Sequence, residues 1–195
     1  MLKERRSDMM NPVQKYTQTA VLLHWLIGGL IVVNVILGLG AGWIPDAWVR
    51  PVVDFHKSTG IVILGLVLLR ILWRLTHRPP ALPDHYQPWE KFAAHGAHYA
   101  LYFLILAMPI SGWIHDSAWS ASASHPFYLF WIIPFPRLGF IVNLPPATKA
   151  HVHSLFDAIH TYLSYVLYAV VGAHVLGALK HQFIDKHPEV QRMWR

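Results

Sequence analysis

Histidine is the residue whose number and placement carry chemistry in this chain: there are 14 among 195 residues, and there is no cysteine. Imidazole ligates iron, zinc and copper and titrates near neutral pH. Without cysteine there are no disulfides, iron–sulfur ligation, thiolate catalysis or covalent attachment of a c-type haem. A metal or prosthetic group held here is therefore held non-covalently, with histidine as the obvious ligand. His77, His85, His115, His125 and His187 fall in loops or tails, where a solvated imidazole is the ordinary case. His24, His56, His160 and His174 fall inside long apolar stretches, where an unpaired imidazole is unfavourable.

The stretches that carry these histidines read as membrane spans. Hydrophobic residues make up 54% of the chain and charged residues only 13%, about half the charge of an average soluble domain. The net charge of +6 would suit nucleic acid or an anionic membrane, so its placement must decide. Residues 19–43 contain no Asp, Glu, Lys or Arg and exceed the roughly 20 residues needed to cross a bilayer; they read as a retained helix rather than a cleaved signal. A second span is expected over about 51–75, with Arg70 and Arg74 snorkelling at its end. Pro79, Pro80, Pro83 and Pro88 make 76–88 a loop. Further spans are expected over about 92–115, bent near Pro109 and Gly112, and over about 151–180. The intervening segment 116–150, rich in Pro and aromatic residues, reads as interfacial rather than as a fifth span.

Lys and Arg sort by side. Lys3, Arg5, Arg6, Lys15, Arg70, Arg74, Arg78, Lys91, Lys180, Lys186, Arg192 and Arg195 fall on one face, against Arg50, Lys57, Arg137 and Lys149 on the other. The positive-inside rule then places both termini in the cytoplasm, as an even number of spans requires. This placement favours membrane lipid over nucleic acid as the partner of the basic charge. The expected fold is all-α: one integral membrane domain over 1–195, an antiparallel four-helix bundle with both termini cytoplasmic.

In that bundle the four intramembrane histidines form two pairs by depth. His24, early in the first span, and His174, late in the fourth, share the inner half; His56 and His160 share the outer half. His160 and His174 are 14 positions apart, roughly 21 Å of helix rise with a return to nearly the same face. One helix thus offers a ligand to each of two stacked sites, which suits two non-covalent haem b groups. Zinc transport would be expected to pair histidine with a mid-membrane carboxylate, and Asp54 and Asp157 lie near span ends instead. His95 and His98, one turn apart, could replace an inner ligand or border a quinone. His151 and His153 alternate across a helix and share no face.

These segments resemble a known family, the prokaryotic cytochrome b561 proteins. The matching pieces are Tyr16 to Gly38 with His24-Trp25, Phe55-His56-Lys57-Ser58-Thr59-Gly60 continuing to Leu69-Arg70-Ile71-Leu72-Trp73-Arg74, and Pro79-Pro80. His160 to His174, Ala178-Leu179-Lys180-His181-Gln182-Phe183 and Gln191-Arg192-Met193 complete a resemblance over about 14–194. It implies a four-helix cytochrome of the bacterial inner membrane, with His24 and His174 as ligands of the inner haem iron and His56 and His160 of the outer. It further implies oxidation of superoxide at the periplasmic side and reduction of ubiquinone. Arg50, Lys57 and Lys149 would steer the anion, and His181, Lys180, Arg70 and Arg74 would border the quinone. The long aromatic segment 116–150 leaves a second expectation, an electron relay between a periplasmic redox protein and quinone. Transport of metal or haem is a third.

Overall fold

The structure, a computed structural model, describes residues 15–82 and 86–194. His85, and the charges at Lys3, Arg5, Arg6 and Arg195 used for orientation, lie outside the described residues. Among the described residues, four helices are long and apolar enough to cross a membrane. We label them α1 (Gln18–Gly40), α2 (Asp46–Thr76), α3 (Pro88–Ser117) and α4 (Pro146–Leu179).

Each boundary has a local cause. Thr17 caps α1 by accepting from the Ala20 amide at 3.3 Å. Gln87 and Glu90 form a reciprocal capping box at the start of α3, followed by Pro88 in the first turn, where its missing amide costs no helix bond. This box draws α3 back from the expected 92 to Pro88. The second span likewise begins at Asp46, because Pro51 is accommodated within the helix rather than opening it. The fourth begins at Pro146, again with proline in the first turn, and runs on through a π turn at Lys180–Ile184. Wide turns of this kind are frequent at functional positions.

Packing joins α1 to α2, α2 to α3 and α3 to α4, around a core of Ile27, Ile63, Val67, Leu104, Ile105 and Leu167. No comparable packing joins α1 to α4 among the described residues; the two meet across the rings of His24 and His174. The outward faces remain apolar, with Leu22, Ile36, Leu68, Leu72, Tyr165 and Leu176 exposed. Such surfaces need lipid rather than water as solvent.

The segment between α3 and α4 forms no fifth span. A two-stranded hairpin, β1 (Tyr128–Leu129) and β2 (Ile133–Pro134), is followed by one helical turn at Gly139–Val142. At the hairpin tip Phe130 and Trp131 have φ of 50° and 63°, a left-handed conformation that is strained for aromatic residues. Packing against α2 holds it: the Phe130 amide donates to Ser58 Oγ at 2.9 Å, and the rings of Phe130 and Trp131 lie 5.4 and 6.2 Å from that of Phe55. At the opposite face the C-terminal segment closes over α1: Trp25 Nε1 donates to the Met193 carbonyl at 2.7 Å, and Arg192 Nη2 to that of Ala81 at 2.6 Å.

Candidate functional site

The outer pair is built by α2 and α4 and tuned by their neighbours. His56 Nδ1 lies 3.0 Å from the Asn34 carbonyl of α1, which can only accept, so Nδ1 carries the proton. His160 Nδ1 lies 2.9 Å from Ser111 Oγ, and that hydroxyl already donates to the Met108 carbonyl at 2.8 Å. Its lone pair therefore accepts from Nδ1–H of His160 as well. In both rings Nε2 is left as the bare nitrogen, the tautomer of a metal-ligating histidine held by a hydrogen bond behind it. Two glycines let the rings sit against backbone: a Cβ at Gly38 or at Gly112 would lie 3.2 Å from Cε1 of His56 or of His160, respectively.

The ring centroids of His56 and His160 are 6.2 Å apart, and those of His24 and His174 are also 6.2 Å apart. A metal–imidazole bond of about 2.0 Å plus about 1.1 Å from nitrogen to ring centre, on each side of one ion, gives about 6.2 Å. The residues thus fit a bis-histidine metal centre at both depths.

At the inner site His98 adds a third imidazole, 5.4 Å from the His174 ring, whereas His95 is on an exposed face. Arg70 stands close enough for its charge to act on both His24 and His174.

The four residues expected around a quinone divide between two clefts. His181 and Lys180 line one of about 360 Å³ with Tyr86, Glu90 and Asp185; Arg70 and Arg74 line another, between the start of α1 and the end of α2. In the first, His181 Nδ1 is 2.7 Å from Asp185 Oδ2 and its ring stacks on Tyr86 at 4.3 Å. The Lys180 ammonium bonds Glu90 at 2.7 Å and Asp185 at 2.8 Å, holding the Asp185 carboxyl below the usual carboxylate range. Burial pushes the Tyr86 phenol up, so it stays a protonated donor. Glu90, His181 and Asp185 cluster closely enough for a cation, and Lys180 supplies that positive charge.

At the outer face the three cations expected to steer an anion are engaged. Lys57 bonds Asp54 at 2.6 Å and Asp116 at 3.2 Å, Arg50 lies 3.8 Å from Asp54, and buried Lys149 donates to the Val142 carbonyl at 3.1 Å. Asp116 also receives Arg137 Nε at 2.7 Å, while Arg137 Nη1 reaches the carbonyls of Ser122 and His125. This carboxylate ties the residue after His56 to the end of α3 and the outer segment. His115 and His153 join α3 to α4 nearby, their rings stacked at 4.0 Å with each Nδ1 3.1 Å from the other residue's carbonyl. Sequence spacing marks neither feature, because the partners come from segments far apart in the chain.

Four apolar helices, with two imidazole pairs stacked along one of them, define a helical membrane protein with a donor set that suits metal. Residues 15–195 match the family model described as prokaryotic cytochrome b561. The chain is 31% identical to "Cytochrome b561 homolog 2" of Escherichia coli (strain K12), over 94% of this chain and 93% of that protein. It is 27% identical to "Probable superoxide oxidase CybB" of Yersinia pestis, over 92% and 96%, and 24% identical to "Cytochrome b561 homolog 1" of E. coli K12, over 93% and 97%. The chain belongs to the prokaryotic cytochrome b561 family, and is a multi-pass membrane protein of haem b electron transfer.

Proposed function

We propose that the chain carries electrons across the bilayer through two haem b groups, one held by His56 and His160, the other by His24 and His174, with superoxide as donor and ubiquinone as acceptor. The observation that carries this reading is the equal 6.2 Å separation of the two imidazole pairs, with α4 contributing to both. Haem b, when bound, supplies reversible one-electron chemistry. With two histidines to hold each group, a donor would pass its electron on close approach rather than by binding as a ligand. The orientation follows the positive-inside rule, with both termini cytoplasmic and superoxide arriving from the periplasm.

The cleft of His181 suits the quinone head. Asp185, kept ionised by Lys180, accepts from His181 Nδ1–H and orients the ring; with a second proton on Nε2, balanced by the Asp185 carboxylate, Nε2–H donates to a quinone carbonyl. Lys180, doubly paired, positions Asp185 rather than meeting the quinone. His181→Ala is expected to raise KM for a soluble ubiquinone analogue by roughly tenfold, the loss of one hydrogen bond of about 1.5 kcal/mol, with haem content unchanged. Steady-state quinone reduction read at the haem bands checks this. An unchanged KM would remove His181 from the quinone site.

Substitutions at the ring-bearing glycines follow from the same geometry. Gly112→Leu is expected to displace the His160 ring and strip the outer haem, leaving the inner one, whereas Gly112→Ala asks for a shift of only a few tenths of an ångström and should retain both. Haem-to-protein ratios of the two variants test this.

A second reading, relay from a redox protein docked at the outer face, is favoured by the hairpin over Phe55 and by the pairing of Arg50, Lys57 and Lys149. Rapid mixing with superoxide separates the two. Haem reduction abolished by superoxide dismutase, then reoxidation by a ubiquinone analogue, supports the first reading. No reduction by superoxide, in protein that dithionite reduces, supports the relay.

A further inference from the structure

The cleft between the start of α1 and the end of α2 belongs to neither histidine pair nor to the His181 cleft. It has a volume of about 330 Å³ and carries four cations, Lys15, Arg70, Arg74 and Arg78, with no Asp or Glu among the described residues that line it. Neutral groups fix two of these cations without cancelling their charge. Arg70 donates from Nε to the Tyr102 hydroxyl at 3.2 Å and from Nη1 to the Ala20 carbonyl at 3.0 Å. The Arg74 guanidinium lies 5.6 Å from the centre of the Tyr102 ring. Like charges gathered at the edge of a low-dielectric slab repel unless an anion joins them.

Position indicates which anion. The cleft lies where both helices end: Thr17 caps α1, and Arg78 stands two residues beyond Thr76, the last residue of α2. This is headgroup depth, on the face that carries both termini. Its floor is aromatic, with Trp73 Nε1 donating to Thr17 Oγ1 at 2.9 Å. Leu69, one turn deeper than Trp73 on α2, is exposed, so the cleft runs directly into the lipid-facing surface. A soluble anion would use the cations and leave that apolar flank without purpose.

We propose that this cleft binds an anionic phospholipid, its phosphate among Lys15, Arg74 and Arg78 and its acyl chains descending past Trp73 and Leu69. Bound there, the lipid ties the start of α1 to the end of α2.

The test is native mass spectrometry of the haem-loaded protein, delipidated in detergent and titrated with phosphatidylglycerol or with phosphatidylcholine of the same acyl chains. Wild type should retain phosphatidylglycerol at least about tenfold better, because each basic residue near an anionic headgroup adds to its retention. A Lys15→Gln, Arg74→Gln, Arg78→Gln triple variant should lose that preference with haem content unchanged. Arg78→Gln alone, at an exposed position outside the helix, should show a smaller loss in the same direction and serves if the triple variant does not fold. Equal retention of both lipids, or an undiminished preference in both variants, would overturn the proposal. Displacement of the lipid by millimolar inorganic phosphate would make this a soluble-anion site and also overturn it. So would loss of haem without loss of lipid preference, which would assign these cations to the haem carboxylates.

Discussion

His56→Ala and His160→Ala should each halve the haem-to-chain ratio by removing the outer haem, with the inner haem retaining its bands. A metal centre with one protein ligand deleted loses its group, because the remaining imidazole cannot hold it against water and detergent. His174→Ala should do the same at the inner site. His24→Ala is the informative case, since the His98 ring lies 5.4 Å from that of His174 and can approach the vacated side. The His24→Ala, His98→Ala pair should therefore show the full loss where the single change shows less. Pyridine haemochrome assay of each purified variant reads these outcomes, and unchanged haem content in all of them would sink the ligand assignment.

Asp116→Ala should be the most destabilising single change outside the histidines. The carboxylate is largely buried and receives both Lys57 and Arg137. Deleting it leaves the Arg137 guanidinium, only 7% exposed in its side chain, with two carbonyls and the face of Trp119 but no anion. Removing one partner of a buried pair costs about 3 kcal/mol or more because the other charge stays behind, a fall of roughly 6 to 12 °C in Tm for a chain of this size. Asp116→Asn keeps hydrogen-bonding capacity but not the charge, and should fall between. Because Lys57 follows His56 directly, the outer haem should be shed before the inner on heating, visible as a two-step loss of the haem bands. A single step at the wild-type temperature would mean that the outer segment is held by other contacts.

The four spans were legible because a bilayer imposes length and lack of charge on any segment that crosses it, whatever its packing. Their ends were less so. Capping by Gln87 and Glu90, and proline tolerated at Pro51 and Pro146, moved boundaries by several residues. These are local hydrogen-bond and steric facts that hydropathy does not carry. The pairs His24 with His174 and His56 with His160 followed from depth alone, because antiparallel spans convert chain position into height. Lateral position is different. Arg70 and Arg74 share a depth with His181 and Lys180, yet they sit in another cleft, since rotation about each helix axis decides which cleft a side chain enters. The hydrogen bonds of Asn34 and Ser111 behind His56 and His160, and the hub at Asp116, were hidden for the same reason: each joins residues far apart in sequence.

If each imidazole pair holds its own haem, electron paramagnetic resonance of the oxidised protein will show it. The ring planes are inclined by 74° in the inner pair and 75° in the outer, and near-perpendicular axial imidazoles give a strongly anisotropic low-spin ferric signal. Two such signals integrating to two spins per chain, with no high-spin iron, are the predicted result. One low-spin haem per chain, or a high-spin centre showing an open axial position, would contradict it.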